Sequence, residues 1–145
     1  MTRAEEIIEH VVGLKEFLHT SNPYKIASYY GIKVVDRVGS KDTRPAYVLK
    51  IEGYPTIISI VDRYNENAKA LLCAHELGHA LLHADGYNSF DVTSWNMHST
   101  VEYEANIFAI ALLADEKTVA HLKELPPYAA KRLMDNVIMK NIKQR

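Results

Sequence analysis

The sequence predicts a compact α+β fold, a single domain spanning residues 1–145 in which a small, mainly antiparallel sheet of three strands packs on a helical bundle. The length suits one domain with one core. Apolar residues form 48% and charged residues 24% of the chain, as in ordinary globular proteins. Helical periodicity dominates both ends of the chain, and three β-rich runs lie between them.

Two helices open the chain. An amphipathic helix covers Thr2–Leu18 and begins with a capping box. Asn22 and Pro23 then start a shorter helix, which should end near Tyr30 with Gly31 as its left-handed terminator. No second recognition helix follows, so the sequence gives little support for helix-turn-helix DNA binding.

The sheet is predicted from three runs, Ile32–Val35, Ala46–Ile51 and Thr56–Val61. The turn Glu52–Pro55 joins the last two runs as a hairpin. The polar stretch Gly39–Pro45 is typical of a surface loop.

The next helix carries the most specific motif, His75-Glu76-Leu77-Gly78-His79, which has the form H-E-x-x-H. Two histidines four residues apart on a helix face the same side and lie about 6 Å apart along the axis. One tetrahedral zinc ion can bridge them at about 2.0–2.1 Å from each nitrogen. Glu76 lies roughly 100° further round the helix, where it could take a proton from metal-bound water. The alternative is that both histidines are hydrogen-bonded residues of the core.

Other residues of this helix are assigned structural roles. Gly78 costs about 1 kcal/mol relative to alanine, which predicts close packing against another backbone. His83 lies about 12 Å along the helix from His75, too far to share the metal, so a polar contact at the helix end is expected. Cys73, the single cysteine, is expected to be a core thiol, and it excludes an internal disulfide framework.

The bounds of this helix follow from its capping residues. Asp62 or Asn65 should cap its start, and it should run to about Ala84, stopping at Asp85-Gly86.

A second apolar helix, Val101–Leu113, is expected to supply the third ligand, because a catalytic zinc ion keeps three protein ligands and one open position. Ser99 or Thr100 should cap it after a polar loop, Tyr87–Thr100. Glu102 and Glu104 both begin this helix, but they lie about 200° apart, so only one can face the metal.

Several roles around the third ligand stay open at this point. Ser99-x-x-Glu102 also fits a capping box, which would compete for the Glu102 carboxylate. Asn106 could orient a ligand. His98 or Tyr103 could stabilise the oxyanion of a tetrahedral intermediate, although a structural role is the alternative for each.

The chain closes with two further helices. Asp115 should cap a short helix over Lys117–Leu122, and prolines 126 and 127 interrupt the chain. A last helix is predicted over Tyr128–Ile142, and its basic tail favours the helix C-terminus.

These motifs resemble the ImmA/IrrE metallopeptidases. The resemblance covers roughly Asn22–Leu113, and it rests on HELGHALLH, on the following E-x-x-A-N-x-F-A-x-x-L-L, and on the earlier NPYKIA and GIKV. It implies a zincin-like fold and a minimal catalytic domain with one catalytic Zn²⁺, held by His75, His79 and Glu102, and with Glu76 as the base. Glu102 is chosen over Glu104 because the family uses the first position of E-x-x-A-N.

The resemblance implies a zinc-dependent metallopeptidase that hydrolyses a peptide bond in a regulatory protein, such as a transcriptional repressor of a mobile element or stress response. An exposed sheet edge beside the zinc helix could bind the substrate as an added strand, although the sheet could equally be a scaffold. The alternative function is a zinc-stabilised, non-catalytic anti-repressor that acts by contact.

Charge and hydropathy limit the partners and the location. The net charge of −1 argues against direct nucleic-acid binding. No signal peptide or membrane-length apolar run is present in the sequence, so a cytoplasmic protein is expected. The sequence leaves open the substrate, the cleavage site and the oligomeric state, and manganese, iron or cobalt could replace zinc.

Overall fold

The computed structural model describes residues 1–39, 44–83 and 95–140, without the side chains of residues 95–99, 139 and 140. The three strands follow one another along the chain, with helices before and after them, as the predicted α+β class requires, and that class is confirmed. The elements in chain order are α1 (Arg3–Leu18), α2 (Pro23–Tyr29), β1 (Lys33–Arg37), β2 (Ala46–Leu49), β3 (Ile57–Val61), α3 (Glu66–Leu82), α4 (Trp95–Leu113), α5 (Glu116–His121), a 3₁₀ turn (Leu122–Glu124) and α6 (Pro127–Lys140). Within the described ranges, none of these helices combines the length and the apolar character that spanning a membrane needs.

The sheet is mixed, with the strand order β1-β3-β2. The predicted hairpin is confirmed, because β2 pairs with β3 in antiparallel register, Val48 opposite Ile58. The expectation of a mainly antiparallel sheet is wrong for the other pair: β1 runs parallel to β3, with Val35 opposite Ser59. β3 lies between β1 and β2, and because it pairs parallel with β1 and antiparallel with β2, the first two strands of the chain run in opposite directions.

The starts of α1, α2 and α3 follow predicted capping residues. Thr2 and Glu5 form the capping box of α1, and the Asn22 side chain accepts hydrogen bonds at the start of α2. For α3, the capping residue is Asn65, whose Oδ1 accepts from the Ala68 N–H at 3.1 Å. These caps satisfy backbone donors that have no partner within their own helix.

Helix α4 begins earlier than predicted. It is helical from Trp95, so Ser99 and Thr100 lie inside the helix, and the prediction that either caps its start is wrong. The proposed capping box therefore disappears, and the Glu102 carboxylate is not needed at a helix start. The predicted loop now falls mostly within residues 84–94, which lie outside the described residues, as does the predicted stop at Asp85-Gly86.

The last two helices each begin one residue before their predicted starts. Asp115 caps α5, and its Oδ1 accepts from the Thr118 N–H at 2.7 Å. Helix α6 begins at Pro127, one residue before the predicted start. The basic tail from residue 141 onward lies outside the described residues.

The core lies between α3, α4, α1 and the inner face of the sheet. Its largest fully buried side chains are Phe108, Ile7, Ile26, Ile58, Ile60, Leu77, Ile107, Leu112, Val11, Val61 and Cys73. The predicted close packing at Gly78 is confirmed, but the neighbour is a side chain and not the backbone that was expected: a Cβ added there would lie 3.0 Å from the Phe108 Cβ. The bare backbone at Gly78 lets α4 approach the helix that carries both motif histidines.

Two lysine side chains hold α1 and β1 against the helices of this core. The Lys15 ammonium of α1 donates to the Ala111 carbonyl of α4 at 2.8 Å, where it meets the negative end of the helix. The buried Lys69 of α3 pairs with Asp36 of β1 at 3.1 Å.

Candidate metal centre

Helix α3 places the two motif histidines side by side. Their ring centroids are 4.8 Å apart, and the ring planes are nearly perpendicular. The His75 side chain is 12% exposed and the His79 side chain only 2%. Because both rings are held between α3 and α4, their Nε2 atoms converge on one point.

Glu102 of α4 reaches that point. Its Oε2 lies 3.1 Å from the His75 Nε2, and its Oε1 lies 2.8 Å from the His79 Nε2. One ligand atom from each of the three residues falls within 4.8 Å of the others, a grouping that could hold a metal ion. Glu104 turns to the His83 ring instead. Helical spacing alone could not decide between Glu102 and Glu104. In the structure, Glu102 is the glutamate that lies beside both histidines.

Glu76 lies in the wall of the same site. It is 6% exposed, and its Oε2 is buried without a hydrogen-bond partner among the described residues. Burial raises its pKa to about 7; the Glu102 charge adds to the rise, whereas His75 and Arg44 oppose it. A carboxylate with a pKa near neutrality is suited to taking up and releasing a proton.

The other titratable groups of the site have pKa values shifted in different directions. Burial would raise the pKa of Glu102, but hydrogen bonds to His75 and His79 hold it well below its usual range. Burial lowers the pKa of His79 to about 4. The pKa of His75 is raised despite burial, because Glu102 bonds to it and Glu76 adds its charge. Two imidazoles and an ionised carboxylate thus share one small space, which suits a divalent cation.

Three more residues were predicted near the site. The buried Asn106, one turn along α4 from Glu102, interacts with His75 and contributes to its raised pKa. The Tyr103 hydroxyl donates to the Leu125 carbonyl at 3.0 Å, so this hydroxyl has a structural partner. The backbone of His98 belongs to α4, but its side chain lies outside the described residues.

A cavity of about 580 Å³ opens onto the cluster. Its lining includes His75, Glu76 and Glu102, together with residues at the start of β2 and residues of α6. The other lining residues are Arg44, Pro45, Ala46, Leu72, Tyr103, Asn106, Pro127, Tyr128, Lys131, Met134, Asp135 and Ile138. Its lining combines mainly apolar surface with several polar and charged groups, as ligand sites commonly do.

One set of contacts was missed by sequence reasoning. His83, at the end of α3, lies between His79 and Glu104. Its position in the row of histidines spaced by four residues was noted, but the Glu104 partner, 21 residues away, leaves no local signal in the sequence. The expected polar contact at the helix end is therefore found, and it is made to a metal-site histidine.

The α+β fold with H-E-x-x-H on one helix and a glutamate from the next defines the class of small metallopeptidase-like domains. Comparison with family models then shows that the chain belongs to the Peptidase_M78 family, described as the IrrE N-terminal-like domain, which matches residues 27–139. This finding confirms the resemblance in the sequence to ImmA/IrrE proteins.

One curated relative is "Uncharacterized immunity region protein 2" of Bacillus phage phi105. It is 34% identical over 106 residues, which cover 72% of this chain and 65% of the relative. The chain thus spans slightly less than two thirds of that protein's length. No solved structure matches the chain significantly.

Proposed function

We propose that this protein is a zinc-dependent metallopeptidase that hydrolyses a peptide bond in a regulatory protein. The observation that carries the proposal is the convergence of His75, His79 and Glu102 beside a buried Glu76. Membership of a peptidase family supports the same reaction class. The cavity of about 580 Å³ provides space for a substrate segment at this point.

The three converging residues fit a zinc ion. The Nε2 atoms of His75 and His79 and the carboxylate of Glu102 would hold it, which is a ligand set found in catalytic zinc sites. Bound there, the ion supplies Lewis acidity, which polarises the scissile carbonyl and lowers the pKa of water to about 7. The buried Glu76 Oε2, which has no hydrogen-bond partner among the described residues, also fits a site built around a further occupant.

Glu76 performs the proton transfers. Its carboxylate takes a proton from the attacking water and passes it to the nitrogen of the leaving amine as the C–N bond breaks. Without a metal, burial raises the pKa of this carboxyl to about 7, and a bound dication would lower it toward the ionised form that accepts the proton. Asn106 supports His75 from the side of α4, which keeps that imidazole aimed at the cluster.

The edge of β2 is the proposed binding surface for the substrate backbone. In the strand order β1-β3-β2, β2 is an outer strand of the described sheet, and we propose that an extended substrate segment aligns along it. Ala46, at the start of β2, lines the cavity, and the Lys50 ammonium beyond its end donates to the Ala80 carbonyl of α3 at 3.3 Å. A peptide paired with β2 would therefore run past Glu76 and the two histidines.

The substrate we propose is a transcriptional repressor of a mobile element or stress response. The ImmA/IrrE resemblance supports this choice, and so does the phage relative, whose name refers to an immunity region. The alternative is an anti-repressor that binds zinc for stability and acts by contact. The cavity beside the buried Glu76 favours hydrolysis over this alternative.

The test is to incubate the purified zinc-loaded protein with the repressor encoded beside it and to identify fragments by mass spectrometry. The matched control is Glu76→Gln, which keeps the shape of the side chain and leaves the three proposed ligands intact. Cleavage by the native protein and none by a zinc-loaded Glu76→Gln variant supports the proposal. A repressor that stays intact but leaves its operator would establish the contact mechanism instead.

A further inference from the structure

The far side of the His79 ring leads into a chain of polar contacts that ends at α1. The His79 Nδ1 lies 3.1 Å from the His83 Nδ1, and the His83 Nε2 lies 3.0 Å from the Glu104 Oε1. The Arg3 guanidinium donates to the same Glu104 oxygen at 3.3 Å. The side chains of His83 and Glu104 are only 9% and 13% exposed, so water competes weakly for these contacts.

Binding of a metal by the three candidate ligands would fix where the protons lie along this chain. The His79 Nε2 faces Glu102, so this atom must carry the lone pair when the ring binds a metal. The proton of neutral His79 is then on Nδ1, and it donates to the His83 Nδ1. His83 in turn keeps its proton on Nε2 and donates it to the Glu104 carboxylate. Every hydrogen bond in the chain therefore supports the metal-binding tautomer of His79.

We propose that His83 and Glu104 are positioning residues that hold His79 in its ligating orientation and tautomer, and that Arg3 anchors Glu104. This inference rests on the proposed metal centre. Carboxylates commonly orient metal-binding histidines directly. Here a second imidazole is inserted between the carboxylate and the ligand, which extends the chain from α3 across α4 to α1.

Helix α1 is thereby connected to the site although it lies outside the part of the chain that the family model matches, residues 27–139. In addition to its packing in the core, polar contacts of Arg3 with Glu104 and of Lys15 with the Ala111 carbonyl join it to α4. Arg3 is half exposed and also lies near Glu6, so its pairing is the weakest of the chain. The expected effects therefore decrease from His83 to Glu104 to Arg3.

The test measures the dissociation constant for Zn²⁺ alone, by competition with a chromophoric chelator at pH 7.5. His83→Phe keeps a ring of similar size but removes the acceptor, and it should weaken zinc binding roughly 10- to 100-fold. Glu104→Gln should weaken it several-fold and Arg3→Met less than threefold. The matched controls are His121→Phe and Glu124→Gln, an exposed His–Glu pair at 3.9 Å that does not line the cavity, and both should bind zinc normally.

Two further measurements separate positioning from simple structural support. Urea unfolding of each variant with chelator present reports the stability of the metal-free fold. A purely structural His83 would reduce this stability and leave zinc affinity unchanged, which would overturn the inference. In the double variant, Glu104→Gln should add little to the effect of His83→Phe on zinc affinity, since Glu104 acts through His83. A full additional loss would show that Glu104 acts on the metal by its charge alone.

The outcomes also separate this inference from the proposed function. A native protein that binds no zinc would overturn both. Native zinc binding with an equal dissociation constant in His83→Phe would overturn only the positioning role. Zinc binding weakened as expected, together with an intact repressor, would leave the positioning role supported and count against hydrolysis.

Discussion

Replacing Glu76 with glutamine should stabilise the metal-free protein at neutral and alkaline pH. Burial raises the pKa of Glu76 from 4.5 to about 7, so the folded protein holds this proton more tightly than the unfolded chain. The free energy of unfolding therefore falls as the pH rises between these values. Each pKa unit corresponds to about 1.4 kcal/mol, so the ionised Glu76 costs about 3 kcal/mol at pH 8 and less than about 1 kcal/mol at pH 5.

The assay is urea unfolding with a chelator present at both pH values. Glutamine cannot ionise, so Glu76→Gln should exceed the native protein in unfolding free energy by about 3 kcal/mol at pH 8 and by much less at pH 5. The control is Glu52→Gln, at an exposed position, which should show no such pH-dependent difference. An equal difference between Glu76→Gln and the native protein at both pH values would refute the idea that the carboxylate is desolvated in the folded state.

Three more predictions concern packing, the oxyanion and the metal. Gly78→Ala should lower the unfolding free energy by about 1–3 kcal/mol in urea titrations, because the added methyl group meets Phe108. The control is Gly13→Ala, whose methyl group meets nothing within 4 Å and which should raise the unfolding free energy by up to about 1 kcal/mol. Tyr103→Phe should cost about 1 kcal/mol through the lost bond to Leu125, and kcat should change less than threefold. Zinc at 100 times its dissociation constant should add about 2.7 kcal/mol, seen as a Tm higher by roughly 5–10 °C that chelation removes and that His79→Ala lacks.

Each of these predictions has a clear contradicting result. Equal effects of the two glycine substitutions would show that α4 moves aside at no cost. A fall in kcat of about 100-fold or more in Tyr103→Phe would assign the hydroxyl to the oxyanion after all. A zinc-dependent rise in Tm that persists in His79→Ala would place the metal elsewhere.

The sequence correctly predicted features of the fold that depend mainly on residues close together in the chain. Asn22 was predicted as a capping residue, and Asn65 as one of two alternatives with Asp62, because an Asn side chain that accepts a backbone N–H requires only nearby residues. The close packing at Gly78 was inferred from the energetic penalty of glycine in a helix, and the structure names Phe108 as the partner. The hairpin followed from its turn residues.

The wrong predictions concern features that depend on contacts between residues far apart in the sequence. The parallel pairing of Lys33–Arg37 with β3 depends on how the chain crosses the sheet, and a short β-branched run does not specify direction. The early start of α4 was missed because Ser99 and Thr100 are good capping residues, yet they lie within a longer helix. Local capping preference is weak compared with the packing of a whole helix.

In the candidate site, too, spacing within one helix was predictable from the sequence, whereas contacts between helices were not. Four-residue spacing predicted that His75 and His79 would share one face of a helix, and the structure shows them adjacent. The choice between Glu102 and Glu104 needed a family resemblance, because spacing alone showed only that they diverge. The contact of Glu104 with His83 depends on how α3 and α4 are placed against each other, and no single-helix pattern encodes that placement.

The close approach of the Phe108 ring to the backbone at Gly78 has an evolutionary consequence. A bulkier residue at position 78 would push apart the two helices whose spacing brings Glu102 within 2.8 Å of His79. Natural variants that enlarge this position should therefore carry a compensating smaller residue at position 108, so the two positions should covary among homologues.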